Sequence, residues 1–325
     1  MPERPSDPPL RYQLYGLVIA ANAPIAGAPP APASATPDLT VDFDPLPDPS
    51  ILRHGAEVIR HASLQDAGGV PLFTLFRRGD DYLFDFPDGA QFVIPPGASH
   101  IRASWPPGAG ADLAGIYLVS TVLAFVLRLR GHEVLHAAAV LVDCRAAVIF
   151  GPSGAGKSTL AACLAARGFP IVSEDVTALV DHGARFDVLP SHRRIRLWPD
   201  AVALLRGDAH ALPLLAGADW KRYLELDDDA VPPATATFPL AALYSLDDRR
   251  DDGPRVIALD PREALLDLVA NTDHSVRDPR LSPANFERLG RLVANVPLRL
   301  AVPHKDLGSV FQLADAIVAD VRSLP

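Results

Sequence analysis

Val148-Ile149-Phe150-Gly151-Pro152-Ser153-Gly154-Ala155-Gly156-Lys157-Ser158-Thr159-Leu160 decides how the rest of the chain is read. An apolar β-branched run leads into the pattern G-x-x-x-x-G-K-[ST], and an apolar helical period follows it. Gly151, Gly154 and Gly156 allow a loop whose backbone N–H groups point at one centre, because glycine adopts dihedrals closed to other residues. Lys157 then stands at the positive end of the following helix, within reach of a β- or γ-phosphate, and Ser158 offers a hydroxyl to the accompanying Mg²⁺. The stretch predicts strand, phosphate cradle and helix. Gly151, Ser153, Gly154, Ala155, Gly156, Lys157, Ser158 and Thr159 are its candidate contacts to a nucleoside triphosphate.

Upstream, Val134 to Val142 reads as a strand, Asp143-Cys144-Arg145 as a polar break, and Ala146 to Phe150 as the returning strand of a hairpin. With a turn of two to four residues, His136 falls opposite a position between Gly151 and Ser153, at the mouth of the loop. Downstream, the helix carries Leu160, Cys163 and Leu164 on one face and stops at Gly168. Pro170 to Ser173 is expected to run beside the loop strand and deliver Glu174 and Asp175 to the same sheet edge. On a continuing strand these carboxylates point to opposite faces; if the strand has ended, both can converge.

Further on, Arg194 and Arg196 alternate with Ile195 and Leu197, fitting either anion contacts through the guanidinium fork or the wet face of a strand. Lys221-Arg222, beside Trp220 and Tyr223, fits either a phosphate or substrate contact or a surface pair. The acidic runs Asp227 to Asp229 and Asp247 to Asp252 lack calcium-loop spacing and read as solvated turns. Asp260-Pro261-Arg262-Glu263 opens a helix, Ser282-Pro283 opens another to about Asn295, Pro297 to Val302 reads as a strand, and Leu307 to Val321 closes the chain as a helix. Asn271, His274 and Arg299 have no local motif around them and read as structural.

The front of the chain has a different character. Strands are expected at Arg11 to Ala20, Leu39 to Phe43, Glu57 to Arg60, Pro71 to Arg77, Tyr82 to Phe86 and Gln91 to Pro95, with a Pro/Ala loop at Ala23 to Pro37. Phe73, Phe76, Phe84, Phe86 and Phe92 read as core. An apolar helix from about Leu113 to Arg130 marks a seam, giving a β-rich domain 1–130 and an α/β domain 131–325. The apolar run Leu113 to Leu127 is shorter than the roughly 20 residues a membrane span needs, so it is expected to be buried and the chain to need no membrane.

Composition narrows the function classes. With 325 residues, 49% hydrophobic and 21% charged, the chain can bury two cores. A net charge of −9 argues against general nucleic-acid binding, which needs a clustered basic face. Lys157, Lys221 and Lys305 are the only lysines. Cys144 and Cys163 form no metal or redox spacing, and the first residues have no basic and apolar leader pattern, so free thiols and a cytoplasmic location are expected.

Leu135-His136-Ala137-Ala138-Ala139-Val140, the hairpin into Gly151 to Thr159, and Val172-Ser173-Glu174-Asp175-Val176 together resemble the core of the HPr serine kinase/phosphorylase superfamily. Arg194 to Asp200 and the β-rich front half resemble a branch found with ribosomally made peptide clusters, notably the lasso-peptide tailoring kinases. The resemblance implies an α/β phosphate-loop core shared with phosphoenolpyruvate carboxykinase. It also implies ATP and Mg²⁺ as cofactors, assembly into oligomers, and a serine of a peptide or small protein as acceptor. Asp175 then accepts the serine proton, Lys157 holds phosphates, Ser158 with Glu174 or Asp175 holds the metal, and His136 tunes the carboxylates. The chain departs from the HPr kinases in having Glu174-Asp175 for Asp-Asp, and it lacks their signature L-E-I-R-G-L-G. These departures put HPr itself and the reverse phosphorylase reaction in doubt. A nucleotide-binding regulator and a small-molecule kinase are the alternatives; the β-rich domain weighs towards an extended partner.

Overall fold

The computed structural model describes residues 9–44, 53–61, 72–106, 111–215, 220–271 and 282–325. His274 lies outside them. Contacts divide the chain into two compact units, one running to Gly131 and the other starting at His132.

In the first unit the strands are β1 (Leu10–Leu14), β2 (Leu17–Ala21), β3 (Leu39–Phe43), β4 (Glu57–His61), β5 (Thr74–Arg78), β6 (Asp81–Asp85), β7 (Gln91–Ile94) and β8 (His100–Ser104). They form one sheet in the order β1-β2-β3-β8-β7-β6-β5-β4. Two strands replace the single one expected at Arg11 to Ala20. Tyr15 and Gly16, at φ 52° and 75°, make a tight turn that folds the run into a hairpin. Strand β8 is an addition to the expected set; it pairs in parallel with β3.

A continuous apolar helix, α1 (Ala111–Tyr117) and α2 (Leu123–Leu129) joined by a π-turn at Leu118–Val122, covers this sheet. Phe125 packs edge-on to Tyr82 and Phe84 at 4.8 and 5.3 Å, and the Tyr15 hydroxyl donates to the Val119 carbonyl at the π-turn. The helix is longer than the apolar run suggests: Asp112–Leu129, with mean hydropathy 1.7, has the length and composition of a span, and 67% of it is buried. Phe73, Phe84, Phe86 and Phe92 are in the core, whereas Phe76, expected there too, is half-buried and packs with Leu83 and Val93 in a separate small cluster, because side chains alternate along β5.

The second unit contains β9 (Glu133–Leu135), β10 (Ala137–Val142), β11 (Arg145–Phe150), β12 (Ile171–Ser173), β13 (Thr177–Asp181), β14 (Phe186–Val188), β15 (Arg194–Leu197), β16 (Arg222–Glu225), β17 (Phe238–Leu246), β18 (Arg255–Ala258) and β19 (Leu298–Val302). Its helices are α3 (Lys157–Ala166), α4 (Pro199–Arg206), α5 (Pro261–Asn271), α6 (Ser282–Asn295) and α7 (Val310–Ser323). The main sheet runs β12-β10-β11-β17-β14-β13-β9, with β19 beside β17 and β18 beside β19; β15 and β16 form a separate ribbon.

Side chains alternate across β10 with a period of two. Ala138, Val140 and Val142 face a core shared with α3 and α7, while Ala137 and Ala139 face one shared with α5 and α6. The result is a mixed α/β unit with helices on both sheet faces.

The β10–β11 hairpin pairs from Val142↔Arg145 to Ala137↔Phe150 around a two-residue turn, with Asp143 and Cys144 at φ 48° and 65°. Cys144 is exposed and Cys163 buried. The strand expected over Val134 to Val142 is broken at His136. Below it β9 pairs with β13, and above it β10 pairs with β11 and β12.

The placement expected for Pro170 to Ser173 is corrected. β12 pairs antiparallel with β10, and the loop strand β11 has β17 as its parallel neighbour. The first hairpin strand occupies the slot next to β11. Two antiparallel steps restore the direction, so the C-terminal end of β12 still reaches the edge where β11 ends.

Candidate functional site

The segment Gly151 to Gly156 links the C-terminal end of β11 to α3. Gly151, Gly154 and Gly156 have φ of 144°, 84° and 111°. At Gly151 a Cβ would lie 3.1 Å from the Leu246 carbonyl oxygen on the neighbouring β17, so this position needs glycine for space as well as for conformation. Pro152, Ser153 and Gly154 are exposed, while Ala155, Gly156, Ser158 and Thr159 are half-buried. Helix α3 begins with no side-chain cap at Gly156, which leaves the first-turn N–H groups and the positive helix end facing this loop.

Lys157 is buried; its Nζ donates to the carbonyls of Gly151 at 2.8 Å and Pro152 at 3.0 Å. Burial pulls its ammonium down to about 8 against the opposing pull of Asp175 and Glu174. The Ser158 hydroxyl donates to Glu174 Oε1 at 2.6 Å, joining the first turn of α3 to the residue after β12.

Glu174 is 2% exposed, and its Oε2 is buried with no hydrogen-bond partner. Burial, assisted by the charge of Asp175, pushes its carboxyl up to about 7, with Arg196 and Ser158 acting the other way. A buried carboxylate oxygen left unpaired beside a hydroxyl suits a hard divalent cation. Among the described residues no cluster of three or more His, Cys, Asp or Glu forms a metal cage, so such an ion would take its remaining ligands from phosphate and water.

Asp175 lies beyond the strand end at φ 66°, and Val176 N–H donates to the Glu174 carbonyl across it at 2.8 Å. This is a γ-turn of the strained hand, the kind of outlier that collects at functional sites. The turn sends the two carboxylates to different partners. Asp175 Oδ2 accepts from Arg196 at 2.7 Å, while its carbonyl accepts from His136 Nδ1 at 2.9 Å and its Oδ1 stands 3.5 Å from the same nitrogen. Because a carbonyl can only accept, His136 Nδ1 carries a proton in this contact. Burial alone would raise Asp175, but the Arg196 guanidinium, then His136, overrides it and holds the carboxyl well below the usual range.

His192 joins this group from the segment leading into β15. It is buried, its Nδ1 accepts from the Arg194 N–H at 3.3 Å, and its Nε2 has no partner. Burial, reinforced by Arg196, lowers it to about 4 and keeps the ring neutral. Ser191 supports the pair by accepting from the Glu174 N–H at 3.3 Å. Nothing in the local pattern singles out His192; its neighbour Ser191 is tied to β12 through its N–H, which donates to the Val172 carbonyl at 2.9 Å.

The two arginines that alternate on β15 part company. Arg196 enters the site, while Arg194 pairs with Glu225 at 2.7 Å and lies over the Tyr223 ring. Arg222 donates to the Leu212 carbonyl and to His210. Arg299 lies elsewhere, paired with Asp320, which also accepts from Tyr244. Asp228, Asp247, Asp251 and Asp252 are engaged by Arg193, Arg250, Lys305 and Arg255 in surface ion pairs. Arg249, hidden in sequence by its acidic run, has a guanidinium nitrogen 3.5 Å from where a Cβ on Gly156 would be.

No protein-family model matches the chain, and no curated protein matches it. Among solved structures, the HPr(Ser) kinase/phosphatase from Coxiella burnetii matches at 17% identity over 58% of this chain and 96% of that one, with a TM-score of 0.33. What the site can do follows from its own residues.

Proposed function

We propose that the chain is an ATP-dependent kinase that transfers the γ-phosphate of ATP to a serine hydroxyl of a peptide or small protein. The single observation that carries this reading is the division of labour between adjacent carboxylates. Glu174 is turned onto Ser158 at the glycine loop, while Asp175 is held ionised by Arg196 with His136 at its carbonyl. One carboxylate is placed for a cation and the other for a proton, as in-line phosphoryl transfer requires.

In this reading the N–H groups of the glycine loop and of the first turn of α3 bind the phosphates, and Lys157 moves from the loop carbonyls onto them. Ser158 and Glu174 would hold Mg²⁺, which supplies charge neutralisation on the phosphate oxygens when bound. Asp175 orients the acceptor hydroxyl and receives its proton. Arg196 keeps that carboxylate ionised until then, and the strained turn fixes its aim. A lasso-peptide precursor as acceptor, and a cytoplasmic oligomer as the working form, belong to the same proposal.

The test is transfer of labelled phosphate from γ-labelled ATP to a panel of serine peptides, HPr and small hydroxyl compounds, with Asp175→Asn beside wild type. Label on a peptide serine that is lost in the variant supports the reading. Nucleotide binding with no transfer to any acceptor would overturn it in favour of a regulator.

A further inference from the structure

Trp198 and Trp220 take no part in the phosphate and carboxylate site, yet they flank the ribbon that carries Arg196 into it. Trp198 follows the last residue of β15 and Trp220-Lys221 precedes β16; because Leu197 pairs with Arg222, both indoles leave the same end of the ribbon. Their rings lie face to face, with centroids 4.1 Å apart and planes 8° from parallel. Even so, the residues are 51% and 46% exposed. Stacked indoles left in water form a rigid, flat, apolar platform with little side-chain freedom left to lose on binding.

Lys221 Nζ is 5.6 Å from one ring centroid and 5.5 Å from the other. The near-equal distances make the ammonium a neighbour of the stack as a whole and not of one ring alone. Among the described residues Lys221 has no carboxylate in ion-pair contact, although the chain carries a net charge of −9. The charge of Lys221 is felt at Asp175 and at Lys157. Arg196, which holds Asp175, stands two residues before Trp198, about 7 Å along the strand. The platform is therefore tied to the residue on the acceptor side of the γ-phosphate. In-line transfer puts the leaving nucleotide on the opposite side.

We propose that the Trp198–Trp220 stack with Lys221 docks the acceptor chain, taking an aromatic or proline side chain and a neighbouring carboxylate beside the reacting serine. This rests on the kinase reading for the side of the γ-phosphate it serves. The carboxylate can be an Asp or Glu side chain or the chain end, since Lys221 offers the same point charge to each.

The test uses the full-length protein with Mg²⁺ and a non-hydrolysable ATP analogue. Peptides holding one serine beside Phe and Asp are titrated against indole fluorescence, with versions that replace Phe by Ala, replace Asp by Ala, or end in Phe with a free or amidated terminus. Phosphate transfer to the same peptides is measured with ATP. The expected result is a quench by the Phe-Asp peptide and binding weaker by about tenfold when Phe is replaced. Loss on replacing Asp, or on amidating the terminus, tells which carboxylate Lys221 prefers. Trp198→Ala and Trp220→Ala should raise the peptide KM by a similar factor and leave the KM for MgATP unchanged. Trp220→Phe, which keeps a ring, should retain most of the preference. Lys221→Met should remove only the dependence on the carboxylate. Quenching without any phosphate transfer upholds the platform and overturns the serine-kinase reading. Transfer that the tryptophan variants leave untouched upholds the kinase and overturns the platform. No quench by any peptide overturns it, as does a loss of MgATP affinity with unchanged peptide affinity, which assigns the stack to the nucleotide base.

Discussion

Arg196 reaches across from the β15–β16 ribbon to donate to Asp175 Oδ2 at 2.7 Å, with side chains 15% and 22% exposed. The guanidinium offsets the burial that would otherwise raise this carboxyl. Arg196→Met is expected to let Asp175 rise, moving the acid limb of the pH–rate profile to higher pH with little change on the alkaline side. Loss of this part-buried pair should also cost about 1–2 kcal/mol in urea unfolding, less than a fully dry pair would. A profile that does not move would mean that Arg196 does not keep Asp175 ionised.

Asp175 occupies a positive φ of 66°. Asn tolerates that conformation better than Ala does, so the two substitutions separate chemistry from strain. Asp175→Asn and Asp175→Ala should each slow phosphate transfer by about 10²–10⁴-fold. Only Ala should add a further loss of about 1–2 kcal/mol in stability. Thermal melts of the two variants beside single-turnover transfer make the comparison.

Glu174 is buried with its carboxyl raised to about 7 from an ordinary 4.5. The folded state therefore holds this proton more tightly than the unfolded state. The stability it contributes is complete below about 4.5 and is lost as pH rises through 7, a change on the order of 3 kcal/mol. Above about 6.5, where no opposing His192 change remains, Glu174→Gln should flatten that fall in the urea midpoint. Wild type should gain thermal stability from Mg²⁺ together with ATP, and the variant should gain little from the metal.

His192 works in the opposite direction. Burial holds it near 4 against an ordinary 6.5, so the unfolded state takes up the proton first. Stability falls as pH drops from about 6.5 towards 4, again by an amount on the order of 3 kcal/mol. Between about 4.5 and 6.5 the Glu174 and His192 contributions oppose each other. Wild type is expected to be nearly flat there, with His192→Asn losing stability as pH rises and Glu174→Gln losing it as pH falls. Unfolding curves across this range in both variants check the pair of signs.

Much of the site is legible in the sequence because its parts are local. The glycine loop and the two-residue hairpin turn carry their geometry in adjacent residues, and the register, which ends at Ala137↔Phe150, brings the residue after His136 to the end of the ladder where the loop begins. The residues that pass between elements are harder to read. Arg194 and Arg196 have the same spacing and residue type, and only the ribbon's placement sends one to Asp175 and the other to Glu225. Strand β17, the parallel neighbour of β11, leaves no such mark. Phe238-Pro239-Leu240-Ala241-Ala242-Leu243-Tyr244-Ser245-Leu246 has the near-continuous apolar character of a strand covered on both faces, with no alternation to reveal it. The place of β12 escapes for a related reason: adjacency in a sheet is a property of the whole topology, and β10 has a stronger claim to the position beside β11.

The hairpin turn has a practical use that follows from its distance. Asp143-Cys144 lies at one end of the six-pair β10–β11 ladder and the glycine loop lies at the other, about 20 Å away by strand rise. Cys144 is exposed there, while the chain's other thiol, Cys163, is buried. A maleimide dye should therefore attach at a single point outside the site. From there it can follow, by energy transfer from the indoles, any movement of the β15–β16 ribbon as substrates arrive.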